Sequence, residues 1–281
     1  MSAVKSRTLK VATVSTMAAL IVVVSRLPGF PVIGAPTRIE LTTILYATIG
    51  IILGPKLGFI TSLLGNFIAW LIPSTTVFGL LLIPAGAIAS LTAGFLTGKS
   101  KSGWLYGSAV LLVLIIGWYV SPVGFEAPLY PVFHIVALIL SLTLGRRLKG
   151  LLEAKGGRLI WGSAVTSFIS TMADSMYGNL AYIAALGILV PLKELKDALV
   201  ALGIIWAKTG IPKPADYLAF LGLPVPKEFS LGYLFMAVLP ITIAERLTIT
   251  VASTLVAVAV VRAFRTVYMR RQASSKPVEK A

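Results

Sequence analysis

The chain has 281 residues, 57% of them hydrophobic and only 12% charged, with a mean hydropathy of +0.92. Soluble globular chains carry about 25% charged residues, and no stretch here is both polar and long enough for a large soluble catalytic domain, so that class is excluded. The absence of cysteine and the presence of a single histidine, His134, also exclude disulfides and Cys- or His-cluster zinc sites.

The apolar residues fall in blocks of roughly membrane-spanning length, the pattern of an all-α, polytopic helical bundle forming a single transmembrane domain over 1–281. The first block, 9–27, follows a basic start at Lys5, Arg7 and Lys10; it lacks a small-x-small cleavage site and reads as a first transmembrane helix, not a signal peptide. A Pro/Gly-rich connection, PGFPVIGAPT, leads to 39–53, which Gly54-Pro55 ends because the residue before a proline is pushed out of the helical region. Further blocks cover 57–72, 77–96, 104–120, 132–144, 159–190 and 233–261. Between the last two, 191–232 holds Leu192, Leu195, Leu199 and Leu202 at helical spacing among charged residues. This predicts an amphipathic helix, either lying at the outer membrane interface or packed on the bundle.

The charges test the count. There are 25 Lys+Arg against 10 Asp+Glu, a balance of +15 that would suggest nucleic acid in a soluble chain. With the N-terminus inside, eight spans place most of the basic residues on cytoplasmic segments, as the positive-inside bias requires, and both termini in the cytoplasm of a cell-membrane protein. No nucleic-acid partner is then needed.

Ionisable residues inside spans are costly and mark functional candidates. Asp174 interrupts one span, Glu245 and Arg246 another, and Arg38 and Glu40 sit at the outer start of 39–53. Asn66, Trp70, Tyr177 and Asn179 fall, with Asp174, in the outer half of their spans by the helical rise. The polar groups thus converge where a small-molecule pocket loaded from outside would lie. Adjacent residues on a helix do not face each other, so Glu245 or Arg246 should pair across the bundle, Arg246 with Asp174 or Glu245 with Arg38. Trp70, Trp118, Tyr119, Tyr130 and Tyr177 read individually as interfacial anchors, and His134 as an interface residue. No HExxH, GxSxG, paired-aspartate phosphate site or P-loop is present, so no enzyme, metal site or cofactor is expected and any ATP hydrolysis must come from other subunits. Ala12, Ser15, Thr16 and Ala19 give the first span a small-x-x-x-small face that lets another helix approach closely.

Four segments resemble the substrate-binding membrane subunit, or S component, of an energy-coupling-factor (ECF) transporter. KVATVSTMAAL resembles the family's first helix, with Ser15 replacing the first alanine of an Ala-x-x-x-Ala contact motif. GAPTRIELTTILYATIGIILGPKLGFITSLLGN resembles its loop, second helix, Gly-Pro turn and third helix. TSFISTMADSMYGNLAY and LPITIAERLTITVASTLVAVAVVRAF resemble a later helix with an acid and the last helix with its Glu-Arg pair. The resemblance implies a six-helix core with additional helices, and high-affinity capture of a vitamin-like nutrient from outside. It also implies a lid formed by 28–38, and docking through Ala12, Ser15, Thr16 and Ala19 to a transmembrane coupling subunit driven by two ATPase subunits. Arg38, Glu40, Asn66, Trp70, Asp174, Tyr177, Asn179, Glu245 and Arg246 would bind the substrate, and lipid surrounds the bundle. Competing readings are an ion-coupled secondary transporter, a membrane enzyme acting on lipid through Asp174 and Glu245, and a structural subunit of a membrane complex.

Overall fold

A computed structural model describes residues 7–31, 38–72, 76–209, 213–222, 225 and 230–274. The described chain is an all-α, membrane-spanning helical bundle whose strands are two residues each. Its elements are α1 (Arg7–Val24), β1 (Phe30–Pro31), β2 (Arg38–Ile39), α2 (Thr43–Leu71), α3 (Val77–Thr97), α4 (Gly103–Val120), α5 (Pro122–Glu126), α6 (Val132–Glu153), α7 (Gly157–Ala185), α8 (Leu192–Thr209), α9 (Pro214–Phe220) and α10 (Leu231–Ser274). By length and composition α1, α3, α4 and α10 are each able to cross a membrane, and α2 reaches that length only when both of its arms are counted together.

The two blocks 39–53 and 57–72 run together as α2, but Gly54 takes φ 77° and ψ −178° inside it, ahead of Pro55. Only glycine adopts that backbone freely. The chain reverses there: Tyr46 Oη lies 2.8 Å from Asn66 Oδ1, although twenty residues of straight helix would separate them by about 30 Å. The arm before the turn, 43–53, is only about 16 Å long and falls short of a hydrocarbon core of about 30 Å. Its entry segment is therefore drawn into the bundle, where Thr42 and Thr43 are buried.

This hairpin clasps α3. A Cβ on Gly50 would collide with the Ser90 carbonyl oxygen, and one on Gly94 with the backbone of Gly54 and Pro55. At such close approach polar groups replace apolar packing as the glue between helices. Ser62 Oγ lies 2.6 Å from Ser90 Oγ, which donates to the Tyr46 carbonyl at 3.0 Å. Helix α7 is the hub, packed on α2, α3, α4, α6 and α10. Its small hydroxyls tie it outward, Ser170 to the Ala89 carbonyl at 3.0 Å and Ser167 to Ser253 of α10 at 3.2 Å. By contrast α1 packs mainly on α2, seating Ile21 over Gly65.

The two ends of the bundle differ. At one, the Gly54 turn lies against α3 near Gly94, Arg265 Nη1 donates to the Ala154 carbonyl at 2.7 Å, and Ile51, Leu152, Leu159, Ala257 and Val261 form one apolar cluster. The basic residues Lys56, Lys99, Lys101, Arg146, Arg147, Lys149, Lys155, Arg158 and Arg262 belong to the turns and helix ends on this side. The other end carries the described residues 25–31, 38–42, 121–131 and 186–191 of the connections.

Several sequence expectations are adjusted. The block 132–144 extends to Glu153 as α6, because its Arg146, Arg147 and Lys149 continue the helix past the apolar run. Among the described residues of 191–232 are the helices α8 and α9, and α8 turns Leu195, Leu199 and Leu202 into the bundle while Leu192 stays exposed. His134, Trp118 and Tyr130 are buried inside the bundle and are not at its lipid interface, because α6 packs against α7 and the three rings stack on neighbours.

Gly50→Val should drive α3 off the hairpin and cost about 1–3 kcal/mol, read as a lowered midpoint of thermal unfolding in detergent. Gly54→Ala meets open space, so its penalty, about 1–3 kcal/mol, should come from backbone conformation alone.

Candidate functional site

At the end opposite the basic turns the bundle encloses a cavity of about 660 Å³, lined from the α1–β1 connection, the segment before α2, and α2, α3, α7 and α10, with Tyr130 ahead of α6. That volume lies in the range of small-molecule sites, which are mostly apolar with a few placed polar groups.

The polar floor joins α7 to α10. Arg246 Nη1 lies 3.5 Å from Asp174 Oδ2, and Arg246 Nη2 lies 3.6 Å from Glu245 Oε1. Asp174 and Arg246 are 8% and 7% exposed. Arg246 thus pairs across the bundle with Asp174, as expected, and also with its chain neighbour Glu245. Both distances exceed the roughly 2.7–2.9 Å of a tight charge-assisted hydrogen bond. Arg246 Nε, Glu245 Oε1, Ser175 Oγ and Asn179 Nδ2 are buried with no hydrogen-bond partner.

The hairpin supplies a second polar group. Tyr46 Oη donates to Asn66 Oδ1 and lies 3.0 Å from Thr42 Oγ1, while Asn66 Nδ2 donates to the Ile83 carbonyl at 3.1 Å. Nearer the mouth Thr42 Oγ1 donates to Glu40 Oε2 at 3.4 Å, and Arg26 Nη2 donates to the Ala69 carbonyl at 2.9 Å. Glu40 lies ahead of α2; burial raises its carboxyl pKa, opposed by the Thr42 hydrogen bond and the Arg26 charge. One wall is aromatic. Tyr130 and Phe235 sit 4.8 Å apart by ring centroid, with Trp118 behind both, and Tyr182 lies 6.1 Å from both Phe78 and Phe235.

Seven of the nine residues singled out for substrate therefore line one cavity: Glu40, Asn66, Trp70, Asp174, Asn179, Glu245 and Arg246. Tyr177 does not. The lining positions of α7 are 174, 175, 178, 179 and 182, one face of a helix with 100° per residue, and Tyr177 projects well off it. The Arg38 side chain and loop residues 32–37, most of the expected lid, lie outside the described residues. Arg26, Thr42, Tyr46, Tyr130, Tyr182 and Thr242 line the cavity and were not singled out. Ala12, Ser15, Thr16 and Ala19 form a stripe on the exposed side of α1. Among the described residues, no group of three or more His, Cys, Asp or Glu could hold a metal ion.

Replacing Arg246 by Gln leaves Asp174 and Glu245 buried without a cation and should cost about 3–5 kcal/mol, seen as a large drop in thermal midpoint. Adding Asp174→Asn and Glu245→Gln should recover part of that loss; if the triple variant is no more stable than R246Q, the ion cluster does not carry the effect.

No protein-family model matches the chain, and no solved structure matches it. An uncharacterized protein of Methanocaldococcus jannaschii is 31% identical over 153 residues, 54% of this chain and 50% of that protein. The chain is thus similar to about half the length of that relative, whose own role carries no description.

Proposed function

We propose that the chain is the solute-capturing membrane subunit of an importer of the ECF type, taking up a vitamin-like small molecule from outside and passing it inward with a separate transmembrane coupling subunit and two ATPase subunits. The observation that carries the reading is the cavity: about 660 Å³, at the end of the bundle away from the basic turns. Those turns belong in the cytoplasm by the positive-inside bias, so the cavity opens outward and both termini lie inside. The six-helix core of the resemblance corresponds on this reading to α1, the two arms of α2, α3, α7 and α10. Helices α4, α5, α6, α8 and α9 are then additions around it.

The second support is α1. Held mainly by α2, it leaves Ala12, Ser15, Thr16 and Ala19 uncovered, spaced so that a helix of a coupling subunit can pack closely. No ATP-binding motif occurs in the chain, so the energy is supplied either by an ion gradient or, on this reading, by the partner subunits.

Two measurements test this. The purified chain in detergent should bind one small nutrient with an affinity far tighter than millimolar. Uptake into vesicles should require the coupling and ATPase subunits. Uptake by the chain alone, abolished by collapsing the ion gradient, would instead identify a secondary transporter. Ser15→Trp or Ala19→Trp should leave binding within about twofold while reducing coupled uptake at least tenfold; loss of binding in either variant would remove α1 from the docking role.

A further inference from the structure

Resting on that reading, we infer that the captured molecule is a small organic cation bearing an aromatic or heteroaromatic ring, bound with its charged end toward Asp174 and Glu245. Among the described residues, the cavity wall carries three carboxylates, Glu40, Asp174 and Glu245, against two guanidinium groups, Arg26 and Arg246. The surplus is deep. At the mouth Glu40 faces the charge of Arg26, which is itself solvent-exposed and anchored on the Ala69 carbonyl. At the floor one guanidinium serves two carboxylates at 3.5 and 3.6 Å. A buried carboxylate without its own cation is costly, and a positive ligand removes that cost on binding.

Two independent features say what else the ligand must offer. Ser175, 2% exposed, lines the cavity with its hydroxyl unpartnered, and so do Asn179 Nδ2 and Arg246 Nε. These two N–H groups lie within the wall, and an acceptor on the ligand, such as a carbonyl or ring nitrogen beside the charged group, would meet them once the side chains turn toward it. The aromatic wall of Tyr130, Tyr182, Phe78 and Phe235 offers ring faces and edges for stacking and for a cation. An anionic nutrient would meet the floor carboxylates in a site of low dielectric, where like charges repel strongly.

The test uses 1-methylnicotinamide, nicotinamide and nicotinate, which share a ring and differ in being cationic, neutral and anionic. They would be titrated against the purified chain, alongside mass spectrometry in both ion modes of any molecule released on denaturing it. The cation should bind at least about tenfold tighter than the neutral amide, with nicotinate weakest, and any released molecule should be cationic. Asp174→Asn should reduce the preference for the cation about tenfold. Glu40→Gln, which removes the charge facing Arg26 but keeps an acceptor for Thr42, serves where D174N fails to fold and should narrow the preference by a smaller factor. A neutral or anionic released molecule, or nicotinamide or nicotinate binding more tightly than the cation, overturns the charge assignment and leaves the capture reading standing. No binding of any probe together with no released molecule overturns the capture reading itself.

Discussion

The guanidinium of Arg246, shared between Asp174 and Glu245, is the interaction on which the cavity half of the bundle depends. An ion cannot be left alone in a hydrocarbon-bounded interior, so α7 and α10 are held in the one register that brings position 174 opposite 246. That register aligns the remaining cavity residues of both helices: Ser175, Gly178, Asn179 and Tyr182 on one side, Phe235, Val238, Thr242 and Glu245 on the other. The hydroxyl contact between Ser167 and Ser253 continues the same register toward the opposite end. Buried ion pairs add little net stability but penalise alternative arrangements heavily, which suits a helix pair whose other contacts are small and apolar.

The second constraint is length. The arm 43–53 is too short to span, and the Gly54 reversal fixes where it starts and ends. Polar residues that would otherwise stand at the membrane surface, Glu40, Thr42 and Thr43, are thereby brought to the cavity wall. A longer arm would lift them out, and the cavity would lose one of its carboxylates and the hydroxyl beside Tyr46.

This explains which parts were legible in the sequence. Gly54-Pro55 marked the reversal because no other residue pair combines a left-handed backbone with a missing N–H donor. Asp174, Glu245 and Arg246 stood out because charge in an apolar run has a cost that demands a partner. The helix faces were not legible. These helices are apolar nearly all round, so no polar stripe tells which side meets lipid and which meets a cavity. Tyr177 and Tyr182 look alike in sequence, yet only Tyr182 lies in phase with Asp174 and Gly178 at four-residue steps. That phase was the available signal. Arg26 carried none, since an arginine at the end of a first span reads as a snorkelling surface residue until the Ala69 carbonyl that holds it is seen.

On the proposed division of labour, capture and docking must be separable yet connected, and α1 is built for both. Its outward stripe of small residues makes no demand on the cavity. Its inward contact seats Ile21 where Gly65 leaves room and against Leu45, Tyr46 and Ile49, with Arg26 hydrogen-bonded to Ala69 one turn further along the same arm of α2 as Gly65. Beyond Arg26, Leu27 and Gly29 line the cavity mouth. A partner helix that pulled on α1 would thus move the mouth before it disturbed the Asp174–Arg246 floor, because the floor belongs to α7 and α10. On that reading, opening the mouth from the docking side would have to release the Arg26–Ala69 hydrogen bond and shift Ile21 against Gly65, Leu45, Tyr46 and Ile49, while the ion cluster keeps its register.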